Sequence, residues 1–259
     1  MRNIGFSSGA LALGDFREAL RMLAPLALPC IELSALRVKE VASLVDALPL
    51  GLDSYSYISF HAPGKFTPEE EVWIAELLFA RVPEAWPIVM HPDAIFDFGL
   101  WRRFGSRLAI ENMDKRKPCG RGVSELEQIF NELPNASLCF DIGHARQYDS
   151  SMTEAFLILT AFSDRLVQIH VSEVNSASQH DPISYGAKLA FQEVSGLIPD
   201  GIPVIVESRV GEGQILHEVA SARQSLQPKC QQAKSDDLME IFAKLNAQSH
   251  SFARILATK

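Results

Sequence analysis

Short apolar, β-rich runs alternate along this chain with longer stretches in which apolar residues recur at i, i+3 and i+4. The short runs occupy residues 3–7, 30–34, 57–61, 88–91, 108–112, 137–141, 166–172 and 203–208, which makes eight. Several of the intervening stretches open on a helix-capping pattern, a side-chain acceptor followed three residues later by Glu: Asp15 and Glu18, Thr67 and Glu70, Ser124 and Glu127, Ser151 and Glu154. Each pattern lies downstream of a strand run, so the strand-loop-helix order is marked independently of hydrophobicity. Strands buried on both faces and separated by helices require right-handed parallel crossovers, and eight such units close into a single (β/α)8 barrel of the α/β class. The competing arrangement is a doubly wound open sheet, which gathers its polar residues at one switch point.

The polar residues that punctuate the runs favour closure. His61 follows 57–60, His91 follows 88–90, Glu111 follows 108–110, and Asp141 with His144 follows 137–140. His170 follows 166–169, His180 comes ten residues later, and Glu207 follows 204–206. One imidazole or carboxylate at one strand end means little. Repeated over six consecutive strands, the pattern describes a ring of nitrogen and oxygen donors converging at a barrel mouth, as a divalent-metal site requires. His217 and His250 fall on helical patterns away from the mouth.

Composition bounds this picture. The chain has 259 residues, 47% of them hydrophobic, enough for a large core, which suits one barrel domain over its whole length as well as two smaller ones. A formal net charge of −8 argues against a nucleic-acid partner and for a small-molecule substrate. The start, Met1-Arg-Asn-Ile-Gly-Phe-Ser7, reads as a strand rather than a signal peptide, and no stretch reaches the ~20 apolar residues of a membrane span. Cys30, Cys119, Cys139 and Cys230 are far apart and suit a reducing, cytoplasmic setting. A polar break at 227–236 precedes a final helix at 237–256. Residues 223–259 thus form an extra C-terminal helical extension that packs outside the barrel or in the interface of a homo-oligomer.

His at strand three, His-Pro at strand four, Glu-Asn at strand five, Asp-x-x-His at strand six, His-x-Ser at strand seven, a later His and Glu at strand eight together resemble the xylose-isomerase-like TIM barrel superfamily. That group holds sugar epimerases and isomerases, endonuclease IV and other metal enzymes. The resemblance implies that Glu111, Asp141, His170 and Glu207 hold one metal. In the endonuclease-like members His61 and His91 would hold a second with Glu111 bridging, and His144, His180 and an Asp two residues before the last His a third. Here that position is Ser178, so the third ion lacks its carboxylate unless Asp181 supplies one. The resemblance therefore implies one to three ions of Mn2+, Zn2+, Co2+ or Fe2+.

Each residue also has a plainer reading. Asp141 and Glu207 lie in strongly apolar runs and need a cation nearby, which Arg146 or Arg209 could provide as purely structural ion pairs. Asn112, Arg116, Arg146 and Lys188 are candidates for substrate contact, meeting a phosphate, a carboxylate or a sugar hydroxyl. The cations of 115–121 could equally pair with Asp114 and Glu125 as a solvated rim.

Four activities remain open. A single metal would acidify the α-proton of a chelated hydroxy-carbonyl compound, with Glu111 and Glu207 exchanging that proton and His144 bonding the substrate oxygen, which gives isomerisation or epimerisation. A second metal at His61 and His91 would allow phosphoester hydrolysis. Fe2+ on the same set would allow oxidative chemistry, and a binding or scaffold protein would keep the metal for stability alone.

Overall fold

A computed structural model describes residues 2–48 and 51–228. In chain order its elements are β1 (Ile4–Ser7), α1 (Ser8–Ala12), α2 (Phe16–Leu23), β2 (Cys30–Ser34), α3 (Val38–Asp46), β3 (Tyr57–His61), α4 (Pro68–Arg81), β4 (Ile88–Met90) and α5 (Phe98–Arg102). They continue with β5 (Leu108–Glu111), α6 (Val123–Glu132), β6 (Ser137–Asp141), α7 (Ile142–Tyr148), α8 (Thr153–Ala161), β7 (Leu166–Val171), β8 (Glu173–Val174) and β9 (His180–Asp181). The last are α9 (Tyr185–Val194), β10 (Val204–Val206) and α10 (Ile215–Ser225). Strands β1 to β7 and β10 form a closed barrel in the order β1-β10-β7-β6-β5-β4-β3-β2, and every pair is parallel. The small antiparallel pair β8-β9 follows β7 and carries His180. Residues 223–225 are the last turn of α10; Cys230, His250 and the helix expected at 237–256 lie outside the described residues.

The barrel strands are buried along most of their length, yet their two faces differ. Phe6, Ile31, Leu33, Phe60, Ile88, Met90, Ile110, Phe140 and Ile169 pack in one large core with helix residues such as Leu44, Ile74, Trp101, Leu126, Ile158 and Phe191. This outer layer carries the hydrophobic stabilisation, at about 1.5–3 kcal/mol for each large side chain taken from water. The alternate residues Val89, Ala109 and Cys139 form a separate small cluster. Gln168 of β7 bonds Glu32 of β2 and Tyr57 of β3, strands that are not its neighbours in the sheet, so these side chains cross the barrel interior. The interior is therefore small and polar where the outer layer is large and apolar.

Two of the four capping patterns act as expected. Asp15 accepts from Glu18 N, and Thr67 and Glu70 form a reciprocal capping box with Pro68 in the first turn of α4. The other two differ. Gly122, not Ser124, is the N-cap of α6, and the Glu154 carboxylate accepts from Val123 N in its place. At α8 the first turn is bonded by Asp149, through Glu154 N, together with Ser151, through Thr153 N. At α6 a carboxylate from another segment satisfies a free N–H group that a local side chain was expected to take, and at α8 Asp149 shares that role with the expected Ser151.

Closure depends on a close approach between the first two strands. A Cβ added at Gly5 would lie 1.8 Å from Cys30 O, so only glycine admits this spacing. Gly5→Ala should lower stability by about 3 kcal/mol or more, because main chain rather than a movable side chain must give way. Thermal unfolding measured by circular dichroism checks this, and an unchanged melting temperature would contradict the close contact.

Candidate metal centre

The eight strand-end residues meet at the C-terminal mouth of the barrel. β3 ends on His61, β5 on Glu111 and β6 on Asp141; β7 carries His170, and Glu207 follows β10. His91 follows β4 as the residue before a short 3-10 turn that starts at Pro92. His144 sits in the first turn of α7, where its N–H donates to Asp141 Oδ1 at 2.6 Å. Gly143 permits that tight turn, since a Cβ there would lie 2.4 Å from Ser172 O. His180 arrives on β9, its Nδ1 2.8 Å from Ser172 Oγ.

Glu111 is the centre of the arrangement. Its Oε2 lies 3.1 Å from both His61 Nε2 and His91 Nε2, and its Oε1 is 3.1 Å from His170 Nδ1 and 3.3 Å from His144 Nδ1. Glu207 Oε2 is 3.3 Å from His170 Nδ1 and 3.6 Å from His180 Nδ1, and Asp141 Oδ2 is 3.5 Å from His144 Nδ1. Several rings are held from behind. His61 Nδ1 donates to Ala62 O at 2.7 Å, which leaves Nε2 to face Glu111, and Gly64 closes over His91 so that a Cβ would lie 2.7 Å from its Nδ1.

Three sets of donor atoms lie close enough to share an ion: Glu111, Asp141, His170 and Glu207; His61, His91 and Glu111; and Asp141, His144 and His180, with the atoms of each set within 4.8 Å of one another. A fourth set contains Glu32, His61, His170 and Glu207. The third set differs from expectation, since Asp141 provides its carboxylate; Asp181 is instead bonded to Asn175 Nδ2 at 2.9 Å. Asp141 Oδ2, His91 Nδ1 and Glu32 Oε1 are buried with no hydrogen-bond partner. Unpartnered buried oxygen and nitrogen lone pairs are costly, and a cation would satisfy those of the donor sets.

The electrostatics point the same way. Burial alone would push the Glu111 carboxyl up, but the imidazoles of His170 and His91 outweigh it and hold Glu111 well below the usual carboxylate range. Burial raises Glu207 to about 8 and lowers His180 to about 3. For His61 and His144 burial is outweighed by neighbouring carboxylates, which raise them to about 9 and about 10. Without an ion, protons hold the cluster together. Arginine does not: among the described residues no Lys or Arg forms an ion pair with any of the eight. Arg146 pairs with Glu173 at 2.8 Å, and Arg209 is exposed at the rim.

An open cavity of about 240 Å3 lies over the cluster, lined by Ser7, Ser34, His61, His91, Glu111, His144, His180, Glu207 and Arg209 among others. Asn112, Arg116, Arg146 and Lys188, the residues expected to contact substrate, do not line this cavity. Asn112 is buried and spends its amide on Asp141, Nδ2 donating to Asp141 O and Oδ1 accepting from Asp141 N, both at 2.8 Å. Arg116 is exposed, and Lys188 reaches Gln224 Oε1 at 3.2 Å on α10. The rim cations pair as a solvated edge, Arg121 with Glu125 and Lys117 with Asp93. Sequence reasoning missed Glu32, Ser59 and Gln168, which are wholly buried inside the barrel beneath the mouth. Their signal is parity: Glu32 pairs with Ser59 across β2 and β3, two residues before the inward His61.

A parallel barrel with a ring of imidazole and carboxylate donors at its mouth defines the class of protein. The family model for the xylose isomerase-like TIM barrel matches residues 98–227, half of the chain, and the chain belongs to that family. Among solved structures it is similar to a chain from Anabaena variabilis described as a sugar phosphate isomerase/epimerase, at 15% identity and a TM-score of 0.53, covering 97% of this chain and 99% of that one. It is also similar to SacUVDE, at 14% identity and a TM-score of 0.51 over 80% and 84% of the two chains. A third is the 3-keto-D-glucoside 4-epimerase of E. coli, at 12% identity and a TM-score of 0.50 over 87% and 99%. At these identities the likeness is one of fold. A sequence comparison with the curated proteins finds no match. No helix among the described residues is long and apolar enough to cross a membrane.

Glu111 gives a prediction for the metal-free protein. The raised pKa values of His61 and His144 mean that their pairing with carboxylates stabilises the fold below about pH 6.5 and is lost as pH rises through about 9 and 10. Glu111→Gln should therefore cost about 3–5 kcal/mol near neutral pH. The gap from wild type should narrow above about pH 10, where the imidazoles are neutral. Denaturant unfolding with chelator present tests this; an equal gap at both pH values would show that Glu111 does not offset imidazolium charge.

Proposed function

We propose that this chain is a divalent-metal-dependent isomerase or epimerase acting on a small sugar-like hydroxy-carbonyl substrate. The observation that carries the reading is the convergence of Glu111, Asp141, His170 and Glu207 on one point, with Glu111 and Glu207 also lining an open cavity. Three carboxylates and one imidazole suit Mn2+, Co2+, Zn2+ or Fe2+. When bound, the ion supplies the Lewis acidity that acidifies a C–H beside a chelated carbonyl.

The protein's own residues do the rest. Glu111 and Glu207 both reach His170 Nδ1, at 3.1 and 3.3 Å, and both line the cavity. Glu207, which lines the cavity beside His170, is placed to exchange a proton with a bound substrate as an acid-base group. Glu111 serves as the complementary base, and His144 offers its imidazole to a substrate oxygen. A cavity of about 240 Å3 suits a monosaccharide-sized compound. Among the described residues its lining contains one arginine, Arg209, and no lysine, which together with the net charge of −8 favours a small substrate over a nucleic acid.

A second reading, phosphoester hydrolysis, has its own support in the set His61, His91 and Glu111, which would hold a further ion 

with Glu111 shared. Two measurements separate the readings. Incubation with a panel of aldoses and ketoses in deuterated water should give metal-dependent deuterium incorporation beside the carbonyl; phosphodiester cleavage without any exchange would overturn the isomerase reading. Metal analysis of protein purified without chelator should give more than one ion per chain. The double variant His61→Ala, His91→Ala should then lose one equivalent, and unchanged stoichiometry would leave these imidazoles as substrate or water contacts only.

A further inference from the structure

Below the mouth, a carboxylate occupies a place that the proposed chemistry does not use. Glu32 in the middle of β2 is fully buried, and its Oε2 is 3.0 Å from His170 Nε2, 2.7 Å from Gln168 Nε2 and 3.2 Å from Ser59 Oγ. His170 thus has one nitrogen on Glu32 and the other on Glu111 and Glu207. An imidazole coordinates an ion through the nitrogen that carries no proton, so whichever group accepts from Nε2 decides whether Nδ1 is available. We propose that Glu32 is a positioning residue: by accepting the Nε2 proton of His170 it turns Nδ1 toward Glu111, Asp141 and Glu207 and strengthens that nitrogen as a donor to a divalent cation. The inference rests on the metal-dependent reading above.

The neighbours of Glu32 explain why this arrangement prevails. Tyr57 Oη donates to Gln168 Oε1 at 2.7 Å, which fixes the amide so that its nitrogen points at Glu32. That nitrogen is also 2.7 Å from His170 Nε2, and were it to donate there the imidazole proton would sit on Nδ1 and block coordination. A carboxylate is the stronger acceptor for an imidazole N–H, because the bond is charge-assisted, and Gln168 then donates to the same carboxylate oxygen. Glu32 also belongs to a donor set with His61, His170 and Glu207. Direct ligation is therefore the alternative that the test must separate, and Glu32 Oε1, buried without a partner, is the atom that would serve it.

Glu32→Gln keeps the shape and removes the charge. Wild type and variant are titrated with Co2+ at fixed pH, reading the number of ions, their dissociation constants and the visible Co2+ spectrum. The expected result is an unchanged number of ions and an unchanged spectral shape, with the ion at His170 bound about 10- to 100-fold more weakly. Equal affinity would overturn the positioning role. Loss of one equivalent or an altered spectrum would overturn it in favour of direct ligation. A wild-type protein that binds no Co2+ would overturn both this inference and the proposed function, whereas normal binding by wild type with equal affinity in the variant overturns the inference alone. If Glu32→Gln does not fold, Tyr57→Phe, which frees the Gln168 amide, takes its place. Weaker binding at unchanged stoichiometry is then expected, and unchanged affinity would contradict the inference.

Discussion

Glu111 is 1% exposed and lies 3.1–3.3 Å from nitrogens of four imidazoles that arrive on four different segments of the chain. No carboxylate is stable in such a place without compensating charge, and no group of imidazoles gathers so closely without an anion between them. The barrel supplies the geometry, since parallel strands all present their C-terminal ends at one mouth. Protons can satisfy the cluster in the absence of an ion. The shared carboxylate and Asp141 Oδ2, which has no hydrogen bond, are donors that a divalent cation could also satisfy.

The fold serves this constraint through the alternation of its strands. Large apolar residues such as Phe6, Phe60, Phe140 and Ile169 face the helices and carry the stability, while Val89, Ala109 and Cys139 leave the barrel interior narrow. That interior continues as a polar layer, Ser59, Glu32 and Gln168, which backs the donor ring from below. Rigidity also comes from main chain: Gly5 lets β1 approach β2, and Gly143 lets the turn between Asp141 and His144 pack on the end of β7. A site built on strand ends and backed in this way has little room to relax, which suits a preformed donor set.

Much of this was legible in the sequence because the informative residues sit where apolar runs stop. His61, Glu111, Asp141 and His170 each break an apolar pattern at its end, and the eight runs match the barrel strands to within two residues at either end. Glu32 escaped because it lies inside its run, where only strand parity separates an interior carboxylate from a surface one. Sequence also places a side chain in an element without fixing its direction, and Lys188 turns toward Gln224 on α10. The caps of α6 and α8 depend on Glu154 and Asp149, carboxylates outside the local pattern at each helix start. The carboxylate beside His144 and His180 comes from Asp141 rather than the hairpin, a pairing that only the packing of α7 against β7 and β8 reveals.

The central claim is that the converging donors form a metal site, and anomalous diffraction from crystals soaked in Mn2+ tests it most directly. The account predicts an anomalous peak bounded by Glu111, Asp141, His170 and Glu207, with any second peak between Glu111, His61 and His91. A barrel mouth without a peak, in crystals whose Glu111 remains bonded to the four imidazoles, would contradict it.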